Sequence, residues 1–444
     1  MYRTSAAART VFLLASAAAL ALTLLAAGCS SSEEPRPPAG DPPAQTSTVL
    51  AMTNDSIAFW ERRIEADPYD FTAYNKLADL YLRRARQTGD VTDYSRAQTA
   101  LEESLRILPS GNADARLQLA FVRVSLHDFR GGLDLASEAL QELPGDPYGL
   151  GIVGDAQLAL GRYDEAEATY LAMAKAAPGL GSFSRLAALH ELRGDLQQAE
   201  RSWRNAIDVD GGARPENSAW ARSELGNFYL THGRLDDAAD AYDRALEAYP
   251  GYVAARAGQA SIAAARQDYD RAIALFEDVI ARHPLPDYVI ALGDVYTASG
   301  RTAEAASQYA LVDAIDQLYR ASGVNTDLQT ALFLADQDRD LDRSLRAARA
   351  AAEDRPGVAS ADALAWTLYK SGHLEEARAH AEEALRLGTQ QPLYLYHAGM
   401  IAAAQGDASV ARDYLGRALA INPRFHVLHA QEAAAMLKQL GGAL

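Results

Sequence analysis

The chain of 444 residues carries one cysteine, Cys29, so no internal disulfide can hold it together and no thiolate metal site can be assembled from it. Positive charge is in deficit as well. The 42 Lys and Arg face 59 Asp and Glu, a net charge of −17, and a surface of that sign is repelled by phosphate backbones and anionic lipid. Nucleic acid is therefore set aside as a partner. No Walker loop, Gly-x-Ser-x-Gly elbow or HExxH helix occurs, and no paired carboxylates sit in a loop context, so the sequence offers no enzyme. The one long apolar run, Val11 to Ala27, is broken by Ser16 and Thr23 and falls short of the roughly 20 strongly apolar residues of a membrane span.

What the chain does have is a repeat of about 34 residues. One unit reads Leu150, Val153, Gly154, Gly161, Tyr163, Ala166, Tyr170, Pro178; the next reads Phe183, Leu186, Ala187, Gly194, Leu196, Ala199, Trp203, Ala206. Apolar residues at helical spacing run up to a glycine pair and then restart. Glycine takes the left-handed conformation that closes a helix, so Gly161, Gly194, Gly233, Gly300, Gly372 and Gly406 are read as stops after a first helix. A small residue then recurs in the second helix, at Ala97, Gly132, Ala166, Ala199, Ala238, Ala272, Ala305, Ser344, Ala377 and Ala411, where bulk would hold two helices apart. Proline ends the unit at Pro109, Pro144, Pro178, Pro250, Pro284, Pro356 and Pro423. Such a unit cannot bury its own apolar face and must stack on its neighbours, which makes the array a quasi-one-dimensional body. Three joints break the period: Gln87–Thr92, Asp210–Asn217 and Ile315–Asp327, places where the array bends or something docks.

This pattern resembles the tetratricopeptide repeat family over roughly residues 71–423. The resemblance implies an all-α solenoid, a right-handed superhelix of about ten helix-turn-helix units with cap helices at both ends. Residues 49–70, with Ile57, Phe59, Trp60 and Ile64, are read as the first cap; residues 424–444, with Phe425, Leu428, Ala435 and Leu437 facing the last unit, as the second.

Arg3 and Arg9 before the apolar run mark residues 1–28 as a secretion signal. Leu25-Ala26-Ala27-Gly28-Cys29 resembles the bacterial lipoprotein signal, which implies a lipid on Cys29 and a protein anchored to a membrane without spanning it. Ser30 in place of an aspartate points, by the same resemblance, to the outer membrane of a Gram-negative cell; with a single membrane, the protein would sit on its outer face. Residues 29–48, rich in Ser, Pro and Glu, read as a semi-stiff tether. Removal of Arg3 and Arg9 with the signal leaves the mature chain at −19.

Two patterns imitate chemistry. Gly149-Leu150-Gly151-Ile152-Val153-Gly154 spells a dinucleotide fingerprint, but no strand can be built from the preceding Pro144-Gly145-Asp146-Pro147, so no nucleotide site is expected. His426 with His429, and His373 with His380, have helical spacing but lack the further ligands that zinc demands, and no metal or small-molecule cofactor is expected.

In the family the concave surface is lined by first-helix residues. The resemblance carries this role to Asn75, Asp79, Leu82, Phe121, Tyr148, Asp155, Ser223, Asn227, Ile290, Asp294, Phe333, Trp366, Tyr369 and Tyr396. Asn75 and Asn227 could bond an extended peptide backbone, while Phe333, Trp366, Tyr369 and Tyr396 either offer pockets to apolar side chains or pack against neighbouring helices. Lys76 and Lys370 stand apart, so a carboxylate clamp for a peptide C-terminus is not expected. The reading is an extracytoplasmic scaffold that holds protein partners; the alternative is a glycan-binding module using the same aromatics.

Overall fold

The computed structural model describes residues 10–12, 25–27, 42–212 and 214–442. Helix α1 (Pro42–Ala66) leads into α2 (Phe71–Thr88) and α3 (Thr92–Ile107), the first of ten pairs. Next come α4 (Ala113–Ser125) with α5 (Phe129–Glu142), α6 (Pro147–Ala159) with α7 (Tyr163–Ala176), and α8 (Leu180–Leu192) with α9 (Leu196–Asp210). The middle pairs are α10 (Pro215–Thr231) with α11 (Leu235–Ala248), α12 (Val253–Ala265) with α13 (Tyr269–Arg282), and α14 (Pro286–Ala298) with α15 (Thr302–Ala321). The last are α16 (Asp327–Asp336) with α17 (Leu341–Asp354), α18 (Val358–Lys370) with α19 (Leu374–Leu385), and α20 (Pro392–Ala404) with α21 (Ala408–Ile421), before a final helix α22 (His429–Gln439). Apart from two three-residue strands, β1 (Thr10–Phe12) and β2 (Leu25–Ala27), paired antiparallel with Thr10 opposite Ala27, all described regular structure is helical. The fold is an all-α solenoid.

The punctuation read from sequence is physical. Gly161, Gly194, Gly233, Gly300, Gly372 and Gly406 all have φ between 72° and 82°, left-handed values that cost glycine little. The following Asp195 and Asp407 cap the second helices by accepting the backbone N–H of Gln198 and Val410. His127, Gln267, Asp338 and Asp340 take left-handed values where no glycine is present, so the turns of the second, sixth and eighth units carry no glycine signal. Ala97, Ala166, Ala199, Ala238, Ala272, Ser344, Ala377 and Ala411 have no exposed surface. A Cβ at Gly132 would run into the Val124 side chain.

Some expectations need correction at the ends. Helix α1 begins at Pro42, inside the stretch read as tether; proline is tolerated in a first turn, where its missing N–H would have no partner anyway. Ile57 is buried, but Phe59 is 52% exposed on the outer face. Residues 424–428 are not helical, because the His426 ring accepts the backbone N–H groups of Leu428 and His429 and starts α22 later. In that register Ala430, Ala433 and Leu437 are buried and Ala435 faces solvent. Cys29, Arg3, Arg9, Ser30 and most of the tether lie outside the described residues.

The larger correction concerns the array itself, which is not limited to contacts between neighbours. The inter-helix turn of each of the first five units meets the exit loop of the unit five places later. Gly89 abuts His283; Asn325 donates its N–H to Leu126 O at 3.1 Å, and His127 Nδ1 lies 2.6 Å from Asn325 O. Val358 N–H donates to the Tyr163 hydroxyl at 2.8 Å. A side chain at Gly161 would collide with Pro356 O, and one at Gly194 with Gly388 O. Asn422 Nδ2 donates to Leu230 O at 2.9 Å and Thr231 O at 3.2 Å. Apolar clusters follow the same rule: Phe121 and Phe129 share a core with Val324 and Phe333, and Tyr163 and Leu189 share one with Val358 and Tyr394. Ten units thus make about two turns of a closed coil with a continuous seam. The irregular joint after α15 supplies part of it, since Ser95 Oγ donates to Ser322 O at 2.7 Å.

Candidate functional site

The first-helix residues nominated above divide by what they touch. Phe121, Asp155, Asp294 and Trp366 stand six residues before their unit's left-handed turn residue, as does Asn227, so the period places them on one face. In three units that position takes part in a fixed local device. Tyr170, Tyr242 and Tyr309 donate their hydroxyls to Asp155, Asn227 and Asp294 at 3.0, 2.6 and 2.8 Å, always from fifteen residues downstream. The glycine just before, Gly154, Gly226 or Gly293, leaves room for the tyrosine ring, which any Cβ would strike. The fingerprint-like Gly149–Gly154 stretch is therefore helix α6, and its last glycine seats Tyr170. A Gly-Asp/Asn pair followed by Tyr at that spacing was a signal in the sequence that composition and motif reading passed over.

Asp155 is further held by Arg185, in a two-point bridge of 2.8 and 2.7 Å with both side chains buried. Asn75 closes a three-membered ring with Ser104 and Asn112 at 2.6 to 3.0 Å, so its amide is engaged within the chain. Tyr148 and Phe121 are buried, as are Leu82 and Ser223, while Asp79 remains half exposed beside Arg83 and Ile290 partly buried.

The aromatics of the C-terminal third come together as one body. Trp366, 2% exposed, stacks on His397 at 4.2 Å and on Tyr369 at 5.0 Å, and its Nε1 donates to Asp336 at 2.7 Å. Tyr396, 1% exposed, stacks on His429 at 5.0 Å and donates its hydroxyl to Glu432. His426 stacks on His429 at 4.3 Å and reaches Asp294 on α14 at 3.4 Å. First helices of units seven to ten and the final helix thus converge, with Phe333 against Tyr309 nearby and with Tyr309, Tyr369 and His426 partly open. Packing, one of the two readings kept for these aromatics, is what Trp366 and Tyr396 do. Among the described residues no three His, Cys, Asp or Glu side chains assemble as metal ligands.

The charges in this knot are coupled. Burial opposes a charge on His429, yet hydrogen bonds and the negative charges of Asp336 and Glu432 prevail and push it up to about 9. The bond to His429 in turn holds Glu432 down at about 2. A histidine raised in the folded state contributes stability that is complete below its unfolded value near 6.5 and vanishes as pH rises through about 9. Folding stability read from denaturant titrations of the native chain should therefore fall by about 3 kcal/mol between pH 6.5 and 9.5 on account of His429, and His429→Gln should remove that part while leaving the fall that Glu191 and Glu224 contribute below pH 8.

A second group of carboxylates, Glu224 buried and Glu191 and Asp287 half-buried, makes no ion pair among the described residues. Burial raises Glu224 to about 7, and burial with the charge of Glu224 raises Glu191 to about 8. Asp287, raised to about 6 by burial alone, borders a small apolar cavity of about 40 Å³ with Leu285, Ile290, Val312, Phe333 and His127. That volume suits a water or two, not a substrate.

Sequence comparison matches the tetratricopeptide repeat over residues 112–180, 180–251, 258–319 and 363–424. A curated relative, Cellulose synthase operon protein C of Pseudomonas fluorescens (strain SBW25), is 27% identical over 312 residues; these are 68% of this chain but 22% of the relative. Among solved structures, a thermophilic tetratricopeptide-repeat protein of Thermus thermophilus is 24% identical, covering 42% of this chain and 98% of its own, with a TM-score of 0.37. The yeast protein Tom70 is 13% identical over 84% of this chain and 95% of its own, with a TM-score of 0.34.

Proposed function

Because the chain belongs to the tetratricopeptide-repeat family, we propose that it is an extracytoplasmic scaffold for protein partners, anchored to a membrane by a lipid on Cys29. The observation that carries the anchor is Leu25-Ala26-Ala27-Gly28-Cys29 at the end of an apolar run, followed by a proline-rich stretch and then by repeats. No helix among the described residues is long and apolar enough to cross a membrane. The similarity to Cellulose synthase operon protein C supports a place in the cell envelope, and Ser30 after Cys29 supports the outer membrane in a two-membrane cell. The reading assigns no catalysis: the buried ionisable groups that are paired, such as Asp155 with Arg185 and Asp362 with His397, are locked to each other and to neighbouring helices. A glycan platform would need aromatic faces open to solvent, and those of Trp366 and Tyr396 are covered. Partner contacts then fall to the residues of the inner face that keep exposed surface, Asp79, Asn227 and Tyr369 among them.

Cys29→Ser should abolish incorporation of a palmitate analogue and release the protein from the membrane fraction. Persistent labelling or unchanged fractionation would remove the anchor from the proposal. Cross-linking in the native envelope, followed by identification of the captured proteins, tests the scaffold reading.

A further inference from the structure

Helix α1 packs chiefly on α2, and its two faces are sharply different. Thr53, Ile57, Trp60 and Ile64, spaced by four and three, turn toward the first unit and are buried or half-buried. Met52, Asp55, Phe59, Arg62 and Ala66, spaced by three and four, form the opposite stripe, and all of them are exposed. The helix cannot roll to hide that stripe, because Tyr81 donates its hydroxyl to Glu61 at 2.8 Å and Arg84 Nη1 donates to Asn54 Oδ1 at 3.1 Å.

Composition and reach give the stripe a destination. Among the described residues, both exposed aromatic side chains, Phe59 and Tyr69, belong to α1 and the turn after it, and Met52 joins them; the large apolar side chains exposed on later units are leucine or valine. No charge lies between Asp41 and Asp55, and the stripe itself carries one acid and one base, in a chain whose net charge is −17. Aromatic side chains on neutral ground suit the boundary between lipid headgroups and acyl chains, and zwitterionic lipid does not repel them. Because α1 starts at Pro42, only residues 30–41 separate it from Cys29, a span of about 40 Å when extended in polyproline form. A lipid on Cys29 therefore holds the stripe beside a membrane at high effective concentration, where a contact too weak to capture a free chain suffices.

We propose that the outward stripe of α1 rests on the zwitterionic lipid surface in which Cys29 is anchored, and so fixes how the coil stands on the membrane. The inference rests on the lipid reading of Cys29 and adds a second membrane contact to it.

Coupling through the lone thiol tests the stripe without the cell's own lipidation. The mature chain, beginning at Cys29, is joined to phosphatidylcholine vesicles that contain a maleimide headgroup lipid and lipids brominated near the headgroup end of the acyl chain. Trp203, Trp220 and Trp366 are at most 2% exposed, so a tryptophan introduced at the surface of a Trp60→Phe chain reports its own contact with bromine. Phe59→Trp should be quenched at least about threefold more strongly than Leu171→Trp, an exposed control on α7. Adding Met52→Glu should shrink that ratio with helical circular dichroism unchanged. Equal quenching at the two positions, with coupling complete, would overturn the lipid contact of α1, while the anchor itself would still be judged by palmitate labelling.

Discussion

Asp155→Ala is expected to cost about 3–5 kcal/mol of folding stability, since it strips a buried guanidinium of its partner. Arg185 is 1% exposed, and Nε and Nη2 both donate to Asp155 while Nη1 donates to Gly181 O. Tyr170, fully buried, loses its acceptor in the same step. Neither group can turn to water without opening the packing of α6, α7 and α8. The attraction between the two charges is not itself the source of that figure, because bringing them out of water cancels much of it. Asp155→Leu with Arg185→Met should therefore recover most of the loss, since replacing both charges leaves nothing stranded. Urea denaturation of the two single variants and the double variant gives the answer. A double variant as weak as the singles would show that the pair contributes favourably by itself.

Trp366→Ala should cost a further amount of the same order, about 3–5 kcal/mol, because it empties a buried site of indole size. The ring is in contact with Tyr369, Tyr396, His397 and His429, and its N–H satisfies the half-buried Asp336, which would then be left with one bond fewer. Lys370 Nζ, 5.3 Å from the ring centre, loses a cation–π contact too. Trp366→Phe, which keeps a flat ring but not the N–H, should be intermediate. If the ring served chiefly as a partner pocket, thermal melts of Trp366→Ala would hardly move and only binding would suffer. The geometry predicts the opposite order.

Local features of this protein were legible in its residues. The turn glycines, the capping aspartates and the prolines, which at Pro178, Pro250 and Pro423 stand two residues beyond α7, α11 and α21, act within a few residues of themselves, so their consequences follow from position alone. His127 and Gln267 adopt left-handed turns under constraint from the packed helices on either side, and nothing in their identity announces it. The seam was hidden for a different reason. Its partners lie about two hundred residues apart, and their meeting depends on the accumulated rotation from unit to unit, a quantity no single unit encodes. Gly161 and Gly194 illustrate this: each was legible as a helix stop, but their second role, admitting the Pro356 and Gly388 carbonyls, exists only in the closed coil. Trp366 and Tyr396, whose spacing equally fits an open groove, are covered by the adjoining units and the final helix. How the polar first-helix positions would be partnered was also invisible, since Asp155 meets an arginine of the next unit and Asn227 a tyrosine of its own.

The most direct test of the closed coil is intramolecular cross-linking across the seam. In a Cys29→Ser background, cysteines replace Ser95 on α3 and Ser322 after α15, residues joined here by a 2.7 Å hydrogen bond although 227 positions apart. A short thiol-specific cross-linker should join them efficiently in the folded monomer at low protein concentration, and peptide mapping should recover one bridged species. Failure of that bridge to form in a folded, monomeric chain would mean that the repeats wind as an open arc.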